Sequence, residues 1–306
     1  MSHIAVHLAD GGFARGSVMD LVRVCRRFGV ESCVWTAATL AALPVIAMNL
    51  LELPFDGRAS LVIFLSGVLI YNLDHLADSY GEAGTATMWT QGIGRRTLTG
   101  LVVAAALALA IALLLAPSGV ALVFVGYGLV GSLYGLPVLP RGGAGARSWM
   151  RLKDIPGAKA AVVASSITLA AVGLPLAYAG QAPTLAMLPV IGFIWVFVLS
   201  NTIMCDVGDL RADLVSRVPT IPVLLGVAGT RALLVLINSI VLGVFYLGAR
   251  SGIIPLHLEA VFSVLLVLGY VLLLSERTPK SLMSFCLDGC SFAPLILAYV
   301  FNGSPG

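Results

Sequence analysis

Charge is scarce in this chain. Asp, Glu, Lys and Arg together make up 11% of its 306 residues, while 59% are hydrophobic. Globular domains carry about 25% charged residues. That deficit, with a mean hydropathy of +1.00, excludes an ordinary soluble domain and points to a polytopic membrane protein. Cysteine is also sparse. The five residues Cys25, Cys33, Cys205, Cys286 and Cys290 are odd in number and lack zinc-ribbon spacing, which excludes a disulfide framework and a structural zinc site. They read as small buried hydrophobes. A net charge of +3 without a dense basic run gives no sign of a nucleic-acid partner.

What is present is a series of long apolar runs. A bilayer core of about 30 Å takes roughly 20 apolar residues per helix. Nine stretches qualify, near 34–53, 59–77, 98–116, 119–137, 159–179, 185–205, 229–248, 254–274 and 281–301. The first lacks the cleavage pattern of a secretory signal. Residues 17–30 place Arg23, Arg26 and Arg27 opposite an apolar face, as an interfacial amphipathic helix does. The expected organisation is therefore a flexible segment 1–16, the interfacial helix 17–30 and one transmembrane domain 31–306. All of the 18 basic residues except Arg58 and Arg250 fall on one side if the N-terminus is cytoplasmic. Positive residues stay inside, so that orientation is expected. The connections on the inner side, 78–97, 138–158, 206–228 and 275–281, are longer than the outer turns. This places the active face in the cytoplasm.

Five of the 15 acidic residues gather where two apolar spans end. The first cluster holds Asp74 and Asp78, with Glu82 in the same register. The second holds Asp206, Asp209 and Asp213. Each set follows i, i+3 or i+4 spacing, which aligns the carboxylates along one helix face. Like charges so stacked beside lipid repel one another and call for a counter-cation. Magnesium takes one or two carboxylates and completes its shell with water and phosphate oxygens. The pattern therefore suits two half-sites for a cation-bridged phosphate substrate. The plainer alternative is a pair of solvated acidic helix ends. Arg141, Arg147, Arg151, Lys153 and Lys159 form a basic complement between the clusters, although the positive-inside rule alone accounts for cations there. Asp288 sits within the ninth span and is a functional candidate, either lining a pocket or acting as a base. Pairing with an internal Lys or hydroxyl is the equal alternative. Asn72, Asn201 and Tyr134 are polar groups at similar depth.

The second cluster and its tail resemble the UbiA superfamily of intramembrane prenyltransferases. In that family the motif Asp-x-x-Asp-x-x-x-Asp is followed after six residues by Thr and then an apolar-Pro-apolar-Leu-Gly-like run. Asp206, Asp209, Asp213, Thr220 and the segment from Pro222 to Gly226 fall in that register. The resemblance implies an all-α polytopic fold of about nine transmembrane helices around a central cavity, in a bacterial inner membrane. It implies Mg²⁺ held by Asp74, Asp78, Asp206, Asp209 and Asp213, with Asp74, Asp78, Asp209 and Asp213 catalytic. It also implies an isoprenoid diphosphate donor and a small acceptor, with Asn72, Tyr134, Arg147, Lys153, Asn201 and Asp288 binding substrate. The donor's tail would lie near Trp195 and Phe197. The chain departs from the family pattern in places. Ile70 and Tyr71 stand where Asn and Asp lead the first motif, and Leu214 and Arg217 replace the Arg and Gly that follow the second. The rival readings are a cation transporter or channel, and a non-catalytic relative that binds prenyl lipid. Transporter sites lie near the midplane, whereas these clusters sit at one membrane face.

Overall fold

A computed structural model describes residues 33–81, 95–135, 137–140, 149–151 and 155–302. The segment 1–16, the interfacial helix expected over 17–30, and Glu82, Arg141, Arg147 and Lys153 lie outside the described residues. So do the side chains of Asp74, Asp78 and Tyr134, although their backbone is helical.

Among the described residues the chain forms ten α-helices. They are α1 (Val34–Leu50), α2 (Gly57–Gly81), α3 (Arg95–Leu114), α4 (Ser118–Gly135), α5 (Ala158–Tyr178), α6 (Leu188–Ser216), α7 (Ile221–Arg250), α8 (Leu258–Leu273), α9 (Lys280–Gly289) and α10 (Ala293–Asn302). The all-α expectation holds, with one small exception. Strands β1 (Pro137–Pro140) and β2 (Trp149–Arg151) pair antiparallel, Pro140 opposite Trp149, inside the connection between α4 and α5. Four helical segments are long and apolar enough to cross a bilayer: α3, α5, α6 with its preceding 3₁₀ turn, and α7. Shorter apolar helices occupy the other five expected spans. The protein is an integral membrane protein.

Three expected boundaries move. The span expected to end at 205 runs on to Ser216, because Asp, Arg, Leu and Ala continue a helix and nothing stops it before Val218-Pro219. The inner connection read as 206–228 is therefore only four residues, 217–220. Arg217 enters the left-handed region at φ 54, and the Val218 N–H closes onto the Asp213 carbonyl at 2.9 Å. The ninth span is not continuous. It breaks after Gly289 into a 3₁₀ turn, Cys290–Phe292, before α10 begins.

The described residues divide into two compact units. The smaller contains 33–37, 65–81 and 95–108. In it, Cys33 Sγ lies 3.8 Å from His75 Nε2. The larger contains 38–64 and everything from 109 onward. There each of α4 to α7 packs on the next, α10 returns to α8, and α6 also touches α8 and α9. Phe193, Ile194, Ile203 and Met204 of α6 are fully buried, as are Leu174, Leu234 and Phe245 around them. Leu236, Ile240 and Leu247 of α7 are exposed, the arrangement expected of a lipid-facing side. Glycine sets one close approach, since a Cβ on Gly173 of α5 would lie 2.9 Å from Val123 Cγ1 of α4.

The turns 51–58, 179–184 and 251–257 carry polar locks. Asp56 accepts the Arg58 N–H at 2.9 Å and its guanidinium at 2.5 Å, while that guanidinium stacks 4.7 Å over the Tyr178 ring. The Arg58 hydrogen bonds hold the Asp56 carboxyl below the usual carboxylate range. Buried Glu259 accepts from Asn49 at 3.0 Å and lies 3.3 Å from His257 Nδ1. These turns hold helix ends together and leave the opposite face to carry the aspartates.

Near its start α7 is bent at Gly226, whose φ of 68 and ψ of 171 lie in a region open essentially only to glycine. At the bend, buried Thr230 donates its hydroxyl to the Gly226 carbonyl at 2.7 Å. Gly226→Ala is expected to lower stability by about 1–3 kcal/mol through backbone strain alone. Thermal unfolding in detergent measures it, and an unshifted transition would show that the kink is not required.

Candidate functional site

Helix α6 carries the second aspartate cluster as a continuous helical stripe. Asn201, Cys205, Asp209 and Asp213 recur every four residues, and Asp206 flanks them. The three aspartates differ in surroundings. Asp206 is only 2% exposed, and Lys159 Nζ donates to its Oδ1 at 2.6 Å. Lys159 is the second residue of α5 and its side chain stays one-third exposed (33%). Its position is set by the turn before α5. Gly157 has φ 73, and its N–H donates to the Pro219 carbonyl at 2.9 Å, tying the start of α5 to the α6–α7 link. Asp213 is half-buried, and its Oδ2 accepts the Thr220 hydroxyl at 3.1 Å. Thr220 stands at the N-cap of α7 but bonds no backbone N–H there. Its hydroxyl orients a carboxylate instead of finishing a helix. Asp209 lies between these two, half-buried.

The structure brings Asp288 into this neighbourhood. The carboxylates of Asp288, Asp206 and Asp209 and the Lys159 ammonium all act electrostatically on Cys205. Cys205 is exposed, which corrects the reading of every cysteine as a buried hydrophobe. Deeper along the stripe, the buried Tyr270 of α8 donates its hydroxyl to Asn201 Oδ1, fixing that amide. In the smaller unit Asn72 is fully buried, and its side-chain N–H donates to the Val68 carbonyl of its own helix at 2.7 Å.

The flank of α6 next to the stripe is differently built. A Cβ on Gly208 would fall 2.6 Å from Met283 Sδ, so this glycine admits α9 close to α6. Beside it lies a recess of about 400 Å³ bordered by Arg211, Glu276, Arg277 and Thr278. Towards the other membrane face, α6 and α7 bound an apolar groove of about 450 Å³, with Phe193, Trp195, Ile237 and Val241 among its walls. Trp195 there donates to Ser165 Oγ at 3.0 Å. Phe197, expected beside it, is buried in the core instead.

The donor set suits a hard divalent cation. Asp209 and Asp213 offer two carboxylates one helical turn apart, the number Mg²⁺ takes when water and phosphate oxygens complete its shell. Among the described residues no three His, Cys, Asp or Glu side chains are grouped to hold an ion unaided. The sequence reading missed the pairing of Lys159 with Asp206 and the use of Thr220 on Asp213. The motif register that singled out Thr220 was the available signal for the second. Nothing in the sequence separates Lys159 from its basic neighbours.

No protein-family model matches the chain, and no curated protein matches it. Solved structures do. A UbiA homologue from Archaeoglobus fulgidus bound to GPP and Mg²⁺ superposes with a TM-score of 0.53 at 14% identity, over 89% of this chain and 99% of the other. The same homologue bound to DMAPP and Mg²⁺ gives the same values. The apo UbiA homologue from Aeropyrum pernix aligns at a TM-score of 0.55 and 15% identity, over 86% of this chain and 97% of the other. The fold of this chain is the UbiA fold.

Proposed function

We propose that this protein is a divergent UbiA-superfamily member that transfers a prenyl group from an isoprenoid diphosphate to a small acceptor within the membrane. One observation carries the reading. Two carboxylates, Asp209 and Asp213, share a helix face with Asp206, which fixes the Lys159 ammonium, at the end of an apolar helix in a fold of which a solved homologue binds GPP or DMAPP with Mg²⁺.

Asp209 and Asp213 would hold Mg²⁺, with Asp74 and Asp78 assigned to the same task from the sequence. When bound, the ion neutralises charge on the departing diphosphate, the main electrostatic contribution in such a reaction. The residues of the chain do the rest. Thr220 keeps Asp213 oriented. Lys159 places a cation beside the aspartates, and Arg147 and Lys153 are assigned to the diphosphate from the sequence. In the transfer the bond from the allylic carbon to the diphosphate oxygen breaks, and its electron pair leaves with diphosphate. A nucleophilic atom of the acceptor supplies the pair for the new bond and then loses a proton. Asp288, in electrostatic reach of Cys205 on the same stripe, is the candidate to take that proton. Asn201, held by Tyr270, and Tyr134 are assigned to the acceptor, and the groove at Trp195 to an apolar chain.

The test is incubation of purified protein and Mg²⁺ with labelled isoprenoid diphosphates of several lengths and a membrane-lipid extract. A labelled adduct found by mass spectrometry, absent without Mg²⁺, is the expected result. Absence of any adduct, together with cation flux in proteoliposomes lacking diphosphate, would replace this reading with a transporter. Retained prenyl lipid without turnover would replace it with a binding protein.

A further inference from the structure

The first aspartate of the α6 motif stands apart from the other two. A carboxylate that takes up Mg²⁺ must be reachable by a hydrated ion, because the ion dehydrates reluctantly and keeps several waters. Asp206 is 2% exposed. One of its oxygens is bonded at 2.6 Å to an ammonium from another helix. Admitting an ion there would mean displacing Lys159 and bringing two cations together in a low-dielectric setting, where like charges interact most strongly. Asp209 and Asp213 lie one and two turns further towards the helix end and are less buried. Lys159, by contrast, keeps one-third of its side chain exposed (33%), and Asp209 and Asp213 both act electrostatically on the carboxylate that holds it.

We infer that Asp206 is not a metal ligand but the buried anchor of Lys159, and that the anchored ammonium is the site's own cation for the diphosphate group. The inference deepens the prenyl-transfer reading and rests on it. It divides the motif into a metal pair, Asp209 and Asp213, and a positioning residue, Asp206, which acts through Lys159. A flexible lysine on the surface would lose rotamer entropy on meeting an anion. One already tied at 2.6 Å is preorganised. The turn that delivers it is itself fixed, through the Gly157–Pro219 hydrogen bond, to the same α6–α7 link that carries Thr220.

The experiment measures Mn²⁺ binding to the purified full chain by electron paramagnetic resonance, without and with inorganic diphosphate. It compares wild type, Asp209→Asn and the double variant Lys159→Met/Asp206→Leu. Asp209→Asn is expected to weaken Mn²⁺ binding at least tenfold. The double variant is expected to hold Mn²⁺ within about threefold of wild type while binding diphosphate about tenfold more weakly, the size of one lost charge-assisted contact. Loss of Mn²⁺ binding in the double variant to the level of Asp209→Asn would overturn the inference, as would unchanged diphosphate affinity. Should the double variant not fold, the exchanged pair Lys159→Asp/Asp206→Lys carries the same decision. It keeps the net charge and the ion pair but moves the carboxylate to α5, so Mn²⁺ binding survives only if Asp206 was no ligand. Wild-type protein that takes up no Mn²⁺ even with diphosphate would remove the metal reading itself. Uptake that depends on Asp206 would remove this inference alone.

Discussion

Asp209→Asn should lower prenyl transfer by about 10²–10³-fold while leaving the protein folded. The amide keeps the shape of the carboxylate but surrenders the charge that a divalent cation needs, and loss of one preorganised charge-stabilising group in an active site typically has this size. At the transition state it corresponds to about 3–4 kcal/mol. Asp209 sits one turn beyond the buried Asp206, between the carboxylate held by Lys159 and the one held by Thr220. An ion taken up there would leave both of those bonds in place. The measurement is turnover of labelled GPP at saturating Mg²⁺, with a thermal transition alongside. Retained turnover in Asp209→Asn would sink the proposed mechanism, and a collapsed thermal transition would show a structural role instead.

The legible part of this molecule was whatever depends on periodicity and on the energetic cost of misplacing charge. The nine apolar stretches announced helices because a bilayer leaves few other ways to satisfy the backbone. The i, i+3, i+7 spacing of Asp206, Asp209 and Asp213 put them on one face before any coordinates, and all three lie within α6. Helix ends were less legible. Apolar content marks where lipid ends, whereas a helix ends where backbone geometry forces it, and α6 therefore outran its apolar run by eleven residues, from 205 to Ser216. The break of the last span at Cys290–Phe292 had only Gly289 and the later Pro294 as local signs. Pairing across helices was not legible at all. Lys159 is 47 positions from Asp206, and Tyr270 is 69 from Asn201. Neither partnership leaves a mark in local spacing. The depth of Cys205 was misread for the same reason, since exposure there depends on what α5, α8 and α9 leave uncovered, not on the apolar residues beside it in the chain.

The ion pair itself predicts an asymmetric response. Lys159→Met should destabilise the folded protein by about 3 kcal/mol, because it strands a carboxylate whose side chain is only 3% exposed. That is the lower end of the range for buried pairs, as the lysine side of this one is partly in water. Asp206→Leu should cost less, about 1 kcal/mol, because a lysine that is one-third exposed (33%) can turn its ammonium to solvent and leave its methylenes packed. The double variant Lys159→Met/Asp206→Leu should return close to wild type, since two apolar side chains of similar size remove both desolvated charges together. The coupling energy of this cycle then reports the pair directly. It is measured by chemical or thermal unfolding in detergent micelles. If the losses in the single variants simply add in the double, the 2.6 Å contact is not an energetic pair and Lys159 is held by its helix alone. If they cancel as expected, the fold is largely indifferent to the charged pair. What would then retain it is the placement of a cation beside Asp209 and Asp213, which the double variant should lose even as its stability recovers.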